Sequence, residues 1–205
     1  MSPFQGGQPA APTTLMYSLR NHLLDSAGVK TRMAEQLAEV ERLALEIVRA
    51  FRAGKKLVIF GNGGSAADAQ HFAAELTGRY ETERPGLPAI ALTTDTSALT
   101  AIANDFGYDE VFSRQVQALV QPGDVVVGIS TSGNAQSVLK GIVEAKKRKA
   151  WTAVLTGQTG GKIKGIPDCC VTVPSQRTAH IQECHIALIH AICACVDEAF
   201  ITARV

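Results

Sequence analysis

His71 and Glu75 stand four residues apart in a stretch of helical pattern, so their side chains share one face about one turn from each other. An imidazole and a carboxylate placed this way can share a proton or hold a metal ion. A second polar set, His180, Gln182, Glu183, His185 and His190, interrupts an otherwise apolar helical stretch near the C-terminus. Buried polar side chains need partners, so their concentration in an apolar helix demands an explanation. His, Glu, Gln and His form a borderline ligand set for a divalent ion such as zinc, with the amide oxygen as the weakest donor. The spacing is looser than that of a metalloprotease motif, and satisfied core or surface roles for the single histidines stand as the alternative. Asn104-Asp105 is a further polar candidate, with a helix stop and turn as its alternative.

Two loops offer the other half of a site. Gly61-Asn62-Gly63-Gly64-Ser65 follows the apolar run Leu57-Val58-Ile59-Phe60, and Ser130-Thr131-Ser132-Gly133-Asn134 follows Val125-Val126-Val127-Gly128-Ile129. A short strand, a small-residue loop and then a helix place unpaired backbone N–H groups at a helix N-terminus, where anions bind. The second loop adds three hydroxyls that can donate to phosphate oxygens. Neither loop matches the dinucleotide fingerprint or the lysine-ending phosphate loop. The expected ligand is a small phosphorylated metabolite rather than a nucleotide.

The elements that must position these groups alternate along the chain. From about Leu15 to Phe51 apolar residues recur at three and four, the mark of amphipathic helices, and Asp25-Ser26-Ala27-Gly28 divides them into two. This N-terminal helical pair, about residues 15–53, precedes the first strand, so its apolar face must pack on the later domain or on another chain. Oligomerisation is the expected outcome. Strand-like runs follow at Leu57 to Phe60, Ala89 to Leu92, Val125 to Ile129, Thr152 to Leu155 and Cys170 to Val173, with helical patterns between them. Such alternation predicts an α/β fold of three layers, a parallel sheet covered on both faces. Ligands of open parallel sheets bind beyond the carboxyl ends of the strands, where both loops and Thr93-Thr94-Asp95 fall. The last helix, from about His180 to Ile201, is apolar over most of its circumference and is expected to be buried.

Composition narrows the function classes. The 205 residues suit one domain over 15–205, after a leader (1–14) whose Pro, Gly and Gln favour disorder. Lys and Arg number 20 against 19 Asp and Glu, which lacks the basic footprint of a nucleic-acid partner. The one basic run, Lys146-Lys147-Arg148-Lys149, closes a predicted helix and complements its dipole. Five cysteines without metal or redox spacing read as buried core thiols in a reducing compartment. With no uninterrupted apolar run of about 18 residues and no signal-peptide pattern, the expectation is a cytoplasmic protein without a membrane partner.

Taken together, these segments resemble the SIS (sugar isomerase) family, with its flavodoxin-like fold, and within it the bacterial phosphoheptose isomerases. The likeness runs from about Leu57 to Glu198. It rests on Gly61–Ser65, on His71–Tyr80, on Asn104–Tyr108, on Gly128–Asn134, and on Ile181-Gln182-Glu183 with His185 and His190. The resemblance implies that Asn62, Gly63, Gly64, Glu75, Asn104, Asp105 and Gln182 contact a sugar phosphate whose phosphate is held by Ser130, Thr131 and Ser132. It places zinc on His71, Glu75, Gln182 and His190, and gives Glu75 and His190 the roles of base and acid. The implied reaction is isomerisation of D-sedoheptulose 7-phosphate to D-glycero-D-manno-heptose 7-phosphate, for surface polysaccharide, by a homotetramer. One departure from the family pattern is Ala135, where a serine commonly follows Gly133-Asn134.

The rival is a non-enzymatic SIS adaptor that binds the bacterial replication initiator, similar through Phe72-Ala73-Ala74 and Glu81-Thr82-Glu83-Arg84-Pro85. The ligand quartet favours the enzyme. Gln182 and His190 are eight apart, which on one straight helix separates them by about 12 Å along the axis and roughly 80° around it. Either Gln182 precedes the helix proper, or each site joins His71 and Glu75 of one chain to Gln182 or His190 of a neighbour. The shared site is the expectation.

Overall fold

Alternate residues of each central strand serve different halves of the core. Leu57 and Ile59 pack to one side and Val58 and Phe60 to the other, and the same alternation divides Val125, Val127 and Ile129 from Val126. Strands buried on both faces belong to a parallel sheet. The structure, a computed structural model, describes residues 12–201, so most of the expected leader lies outside the described residues.

The order is α1 (Pro12–Ala34), α2 (Ala38–Arg52), β1 (Leu57–Gly61), α3 (Gly64–Thr77), β2 (Ala89–Ala91), α4 (Thr96–Phe106), α5 (Val111–Leu119), β3 (Val125–Ser130), α6 (Gln136–Lys147), β4 (Trp151–Gly157), β5 (Cys169–Val173) and α7 (Thr178–Phe200). The five strands are all parallel, in the order β2-β1-β3-β4-β5. That is the flavodoxin-like order, in which the direction of winding reverses between β1 and β3. The core on one face joins the sheet to α1, α2, α3 and α7, and the core on the other joins it to α5 and α6. The expected three-layer α/β fold is therefore present.

Two expectations need correction. The helical pair does not divide at Asp25-Ser26-Ala27-Gly28, because α1 runs through it and ends at Ala34. A single helical glycine costs only about 1 kcal/mol, and Ser26, Val29 and Met33 are buried around it, so packing outweighs local propensity. The pair packs on the later domain, one of the two expected outcomes, since Val40, Leu43, Ile47 and Phe51 bury α2 in the same core as α7 and the sheet. Among the cysteines, Cys169, Cys184 and Cys193 are buried, Cys170 is half-buried, and Cys195 is exposed rather than a core thiol. α7 is long and apolar enough to cross a membrane, but ten of its residues are buried in the domain, which makes it a core helix here.

Candidate active site

Each loop at the switch point opens a helix. Gly63, at φ 57°, turns the chain from β1 into α3 without any side-chain cap; the Ser65 and Ala66 N–H groups of the first turn donate to the Asn62 and Gly63 carbonyls at 3.0 Å. The second loop, after β3, leads to α6, whose N-cap position is Ala135, also without a side-chain cap. Gly133 approaches the Gly160 carbonyl so closely that a side chain there would collide with backbone. Ser130 is buried at the strand end, Thr131 is half-buried and Ser132 is exposed. Thr131 and Ser132 line a cleft of about 290 Å³ closed by Gln158, Ser175 and Ile181. The three hydroxyls thus lie at the carboxyl end of β3, as expected.

Asn62 is committed within the protein. Its Nδ2 donates to Ser137 Oγ at 3.0 Å, and its Oδ1 accepts from the Tyr108 hydroxyl at 2.9 Å. These bonds tie the first loop to α6 and to the turn after α4. Ser137 is buried, and its hydroxyl accepts from Asn62. Asn104 and Asp105 lie in the last turn of α4, exposed and bonded to each other at 2.8 Å, and Gly107 at φ 88° ends the helix.

α3 and α7 run side by side in the same direction, with Gln182 against Gly64 and His190 against His71. His71 Nε2 lies 3.0 Å from His190 Nε2 and 3.2 Å from Glu75 Oε1. Tyr80 stacks on His190 with ring centroids 5.6 Å apart. His71 therefore touches both Glu75 and His190 within one chain, so the expected contribution of Gln182 or His190 from a neighbour is not needed to bring His190 to His71. Gln182 lies within α7, not before it. It faces the first loop, where any side chain on Gly64 would collide with its amide, two turns from the His71 group. Of the other α7 polar residues, His185 is wholly buried and hydrogen-bonds the Thr156 carbonyl at 3.3 Å, so its role is in the core.

Asp68 is a group that the spacing argument overlooked. It precedes His71 by three and Glu75 by seven, on the same helix face, so the 3.6-residue period carried the signal. Burial raises its pKa to about 6, against an opposing pull from His71, and its Oδ2 has no hydrogen-bond partner among the described residues. Tyr80 and Tyr108 carried no such signal, because their contacts join segments far apart in sequence.

Two imidazole nitrogens 3.0 Å apart cannot both point a proton at the other, whereas lone pairs from both, with the Glu75 carboxylate beside them, suit a zinc-class cation. By donor type His71, Glu75 and His190 suit such an ion, with His71 the residue that touches both of the others and Gln182 standing apart. A separate group, His22, His180 and Glu183, brings one donor atom from each residue within 4.8 Å of the others.

Known proteins agree with this architecture. A SIS domain matches residues 25–157. A protein of Thermoplasma acidophilum bearing the name probable phosphoheptose isomerase is 55% identical over 84% of this chain and 95% of its own. The phosphoheptose isomerase of Trichlorobacter lovleyi is 52% identical over 88% and 90%. The solved structure of phosphoheptose isomerase GmhA from Neisseria gonorrhoeae superposes with a TM-score of 0.84 at 47% identity, covering 90% of this chain and 99% of that one. With α3 and α7 carrying His71, Glu75 and His190 beside the loops at the switch point, the chain belongs to the SIS-domain family and, within it, to the phosphoheptose isomerases.

Proposed function

We propose that this chain converts D-sedoheptulose 7-phosphate to D-glycero-D-manno-heptose 7-phosphate, an aldose–ketose isomerisation that supplies heptose for surface polysaccharide. The observation that carries this reading is the meeting of His71, Glu75 and His190 inside one chain, on helices that also border the two anion loops. Ser130, Thr131 and Ser132, with the free N–H groups of α6, hold the phosphate. Gln182, Gly63 and Gly64 border the sugar near the first loop, with Asn62 positioning that loop and Asn104 and Asp105 on its rim.

The reaction moves one proton between neighbouring carbons. Glu75 removes a proton from C1 of the ketose, the electrons pass into an enediol, and a proton returns to C2 to leave the aldose. His190 exchanges the hydroxyl proton during the same cycle, its ring held by Tyr80 and His71. Positioned acid–base groups of this kind each contribute roughly 10² to 10⁴ in rate. Zinc, held by His71, Glu75 and His190, would polarise the carbonyl and stabilise the developing oxyanion.

We place the enzyme in the cytoplasm as a homotetramer, with active sites at subunit interfaces. Leu19 and Leu23, one turn apart on α1, are 57% and 70% exposed, an apolar stripe that suits association. The segment shared with the adaptor proteins has a structural use here: the backbone of Glu81 and Thr82 and the side chain of Arg84 all bond Asp197. The test is an isomerisation assay on sedoheptulose 7-phosphate, with the aldose detected by NMR and metal content measured on the same sample. Zinc-loaded protein that gives no aldose overturns the proposal.

A further inference from the structure

α7 distributes its polar residues among different neighbours. His185 enters the core and His190 meets His71, whereas His180 and Glu183, three apart and on one face, turn toward His22 on α1. His22 Nε2 lies 3.0 Å from Glu183 Oε1, and the His22 and His180 rings meet edge to face with centroids 4.7 Å apart. Donors around a tetrahedral cation with bonds near 2 Å sit about 3.3 Å from one another. The three donor atoms here all lie within 4.8 Å of one another, and the His22–Glu183 pair is already at 3.0 Å.

Two polar atoms in this group are unused. His180 is only 2% exposed, and its Nε2 has no hydrogen-bond partner among the described residues. Oε2 of Glu183 is likewise sealed from solvent without a partner. The Ser26 hydroxyl, which accepts from Lys30 Nζ at 2.7 Å, stands beside this carboxyl. Together with His22 it holds Glu183 below the usual carboxylate range, although no donor reaches Oε2 with hydrogen-bond geometry. Neighbours of this kind orient ligands in metal sites. A cavity of about 440 Å³, lined in part by Asp25, Arg32, Arg177 and His180, gives access.

We propose that His22, His180 and Glu183 form a second divalent-cation site, distinct from the His71 group, that takes zinc or a similar borderline ion and clamps α1 onto α7. Two imidazoles and one carboxylate select this class over magnesium or calcium, which prefer all-oxygen shells. His180, the one of the three that lines the cavity, joins the site to it. The two sites are independent, because His180 and His190 are ten residues and about 15 Å apart along α7.

The test compares metal uptake by the wild-type protein and by two variants, each stripped with chelator and titrated with Zn²⁺, then with Co²⁺ for spectroscopy. The wild type is expected to take up one equivalent per chain more than His22→Ala. Any ion at the His71 group is common to both proteins and cancels from the difference. Glu183→Gln keeps a hydrogen bond to His22 but withdraws the anionic donor, and is expected to weaken the extra equivalent at least tenfold. The zinc-dependent rise in Tm should shrink in both variants, and the Co²⁺ absorption of a low-coordinate nitrogen and oxygen site should vanish in His22→Ala. Equal uptake and an equal zinc-dependent Tm in all three proteins would overturn the proposal.

Discussion

Two sets of carboxylates occupy this fold, and they are treated in opposite ways. Asp124, Asp168 and Asp197 are fully engaged. Asp124 accepts from Lys56 Nζ at 2.6 Å and from the backbone N–H of Lys56 and Gln121. Asp168 accepts from the Thr152 hydroxyl and N–H and from Lys146. Asp197 pairs with the wholly buried Arg84 side chain at 2.6 Å while receiving two backbone N–H groups. In contrast, Asp68 and Glu183 each keep an unpartnered buried oxygen, and Glu75 shares only His71. Buried polar atoms normally find partners. The carboxylates with bonding capacity to spare, gathered on α3 and α7, lie at the two proposed sites, whereas the saturated ones hold the fold together.

That division can be broken from either side, and the largest effect is expected on the structural side. Asp197→Ala leaves the Arg84 guanidinium buried without its counter-charge, and such uncompensated charges cost about 3–5 kcal/mol. Urea unfolding measures it, and a loss below about 1 kcal/mol would show that water reaches Arg84. His185 gives a pH-dependent counterpart. Burial lowers its pKa from 6.5 to about 4. Between those values the unfolded chain takes a proton that the folded chain refuses, so stability falls as pH drops through that window. His185→Gln should flatten this acid limb by an amount on the order of 3 kcal/mol, read from unfolding curves across the pH range.

On the ligand side, Glu75→Gln should lower turnover by at least about 10² while Tm stays near wild type. Its backbone carbonyl, not its side chain, is what holds Arg84. Near-normal turnover would return Glu75 to the status of an ordinary helix residue. The smallest expected change is the most informative about the phosphate loop. Ala135 occupies the N-cap of α6, so Ala135→Ser has two separable consequences. A serine cap stabilises a helix by about 1 kcal/mol, visible in Tm. A new hydrogen bond to phosphate is worth roughly 0.5–1.5 kcal/mol, visible in KM. A rise in Tm with KM unchanged would show that position 135 serves the helix and not the substrate.

Much of this was legible in the linear chain because it depends on local periods. The five strand runs, the two loops and the pairing of His71 with Glu75 all follow from spacings of two or four residues and from glycine chemistry. Asp68 obeyed the same period and could have been read with them. The unbroken α1 was not legible, since Ser26 and Gly28 look like a turn until Val29 and Met33 are seen packed in the core beside them.

The sequence by itself determined the parallel α/β architecture, the two small-residue loops at the carboxyl ends of the strands and the roster of polar residues on α3 and α7. Only the tertiary structure decided how that roster is shared out. His71 and His190 are 119 residues apart and meet because α3 and α7 lie side by side. Successive helix positions turn by about 100°, so His180, Gln182, His185 and His190 project in different directions from one element. Which direction becomes core, first loop, reactive pair or contact with α1 depends on the neighbour that packs there, and packing between distant segments is not written in the spacing along any one of them.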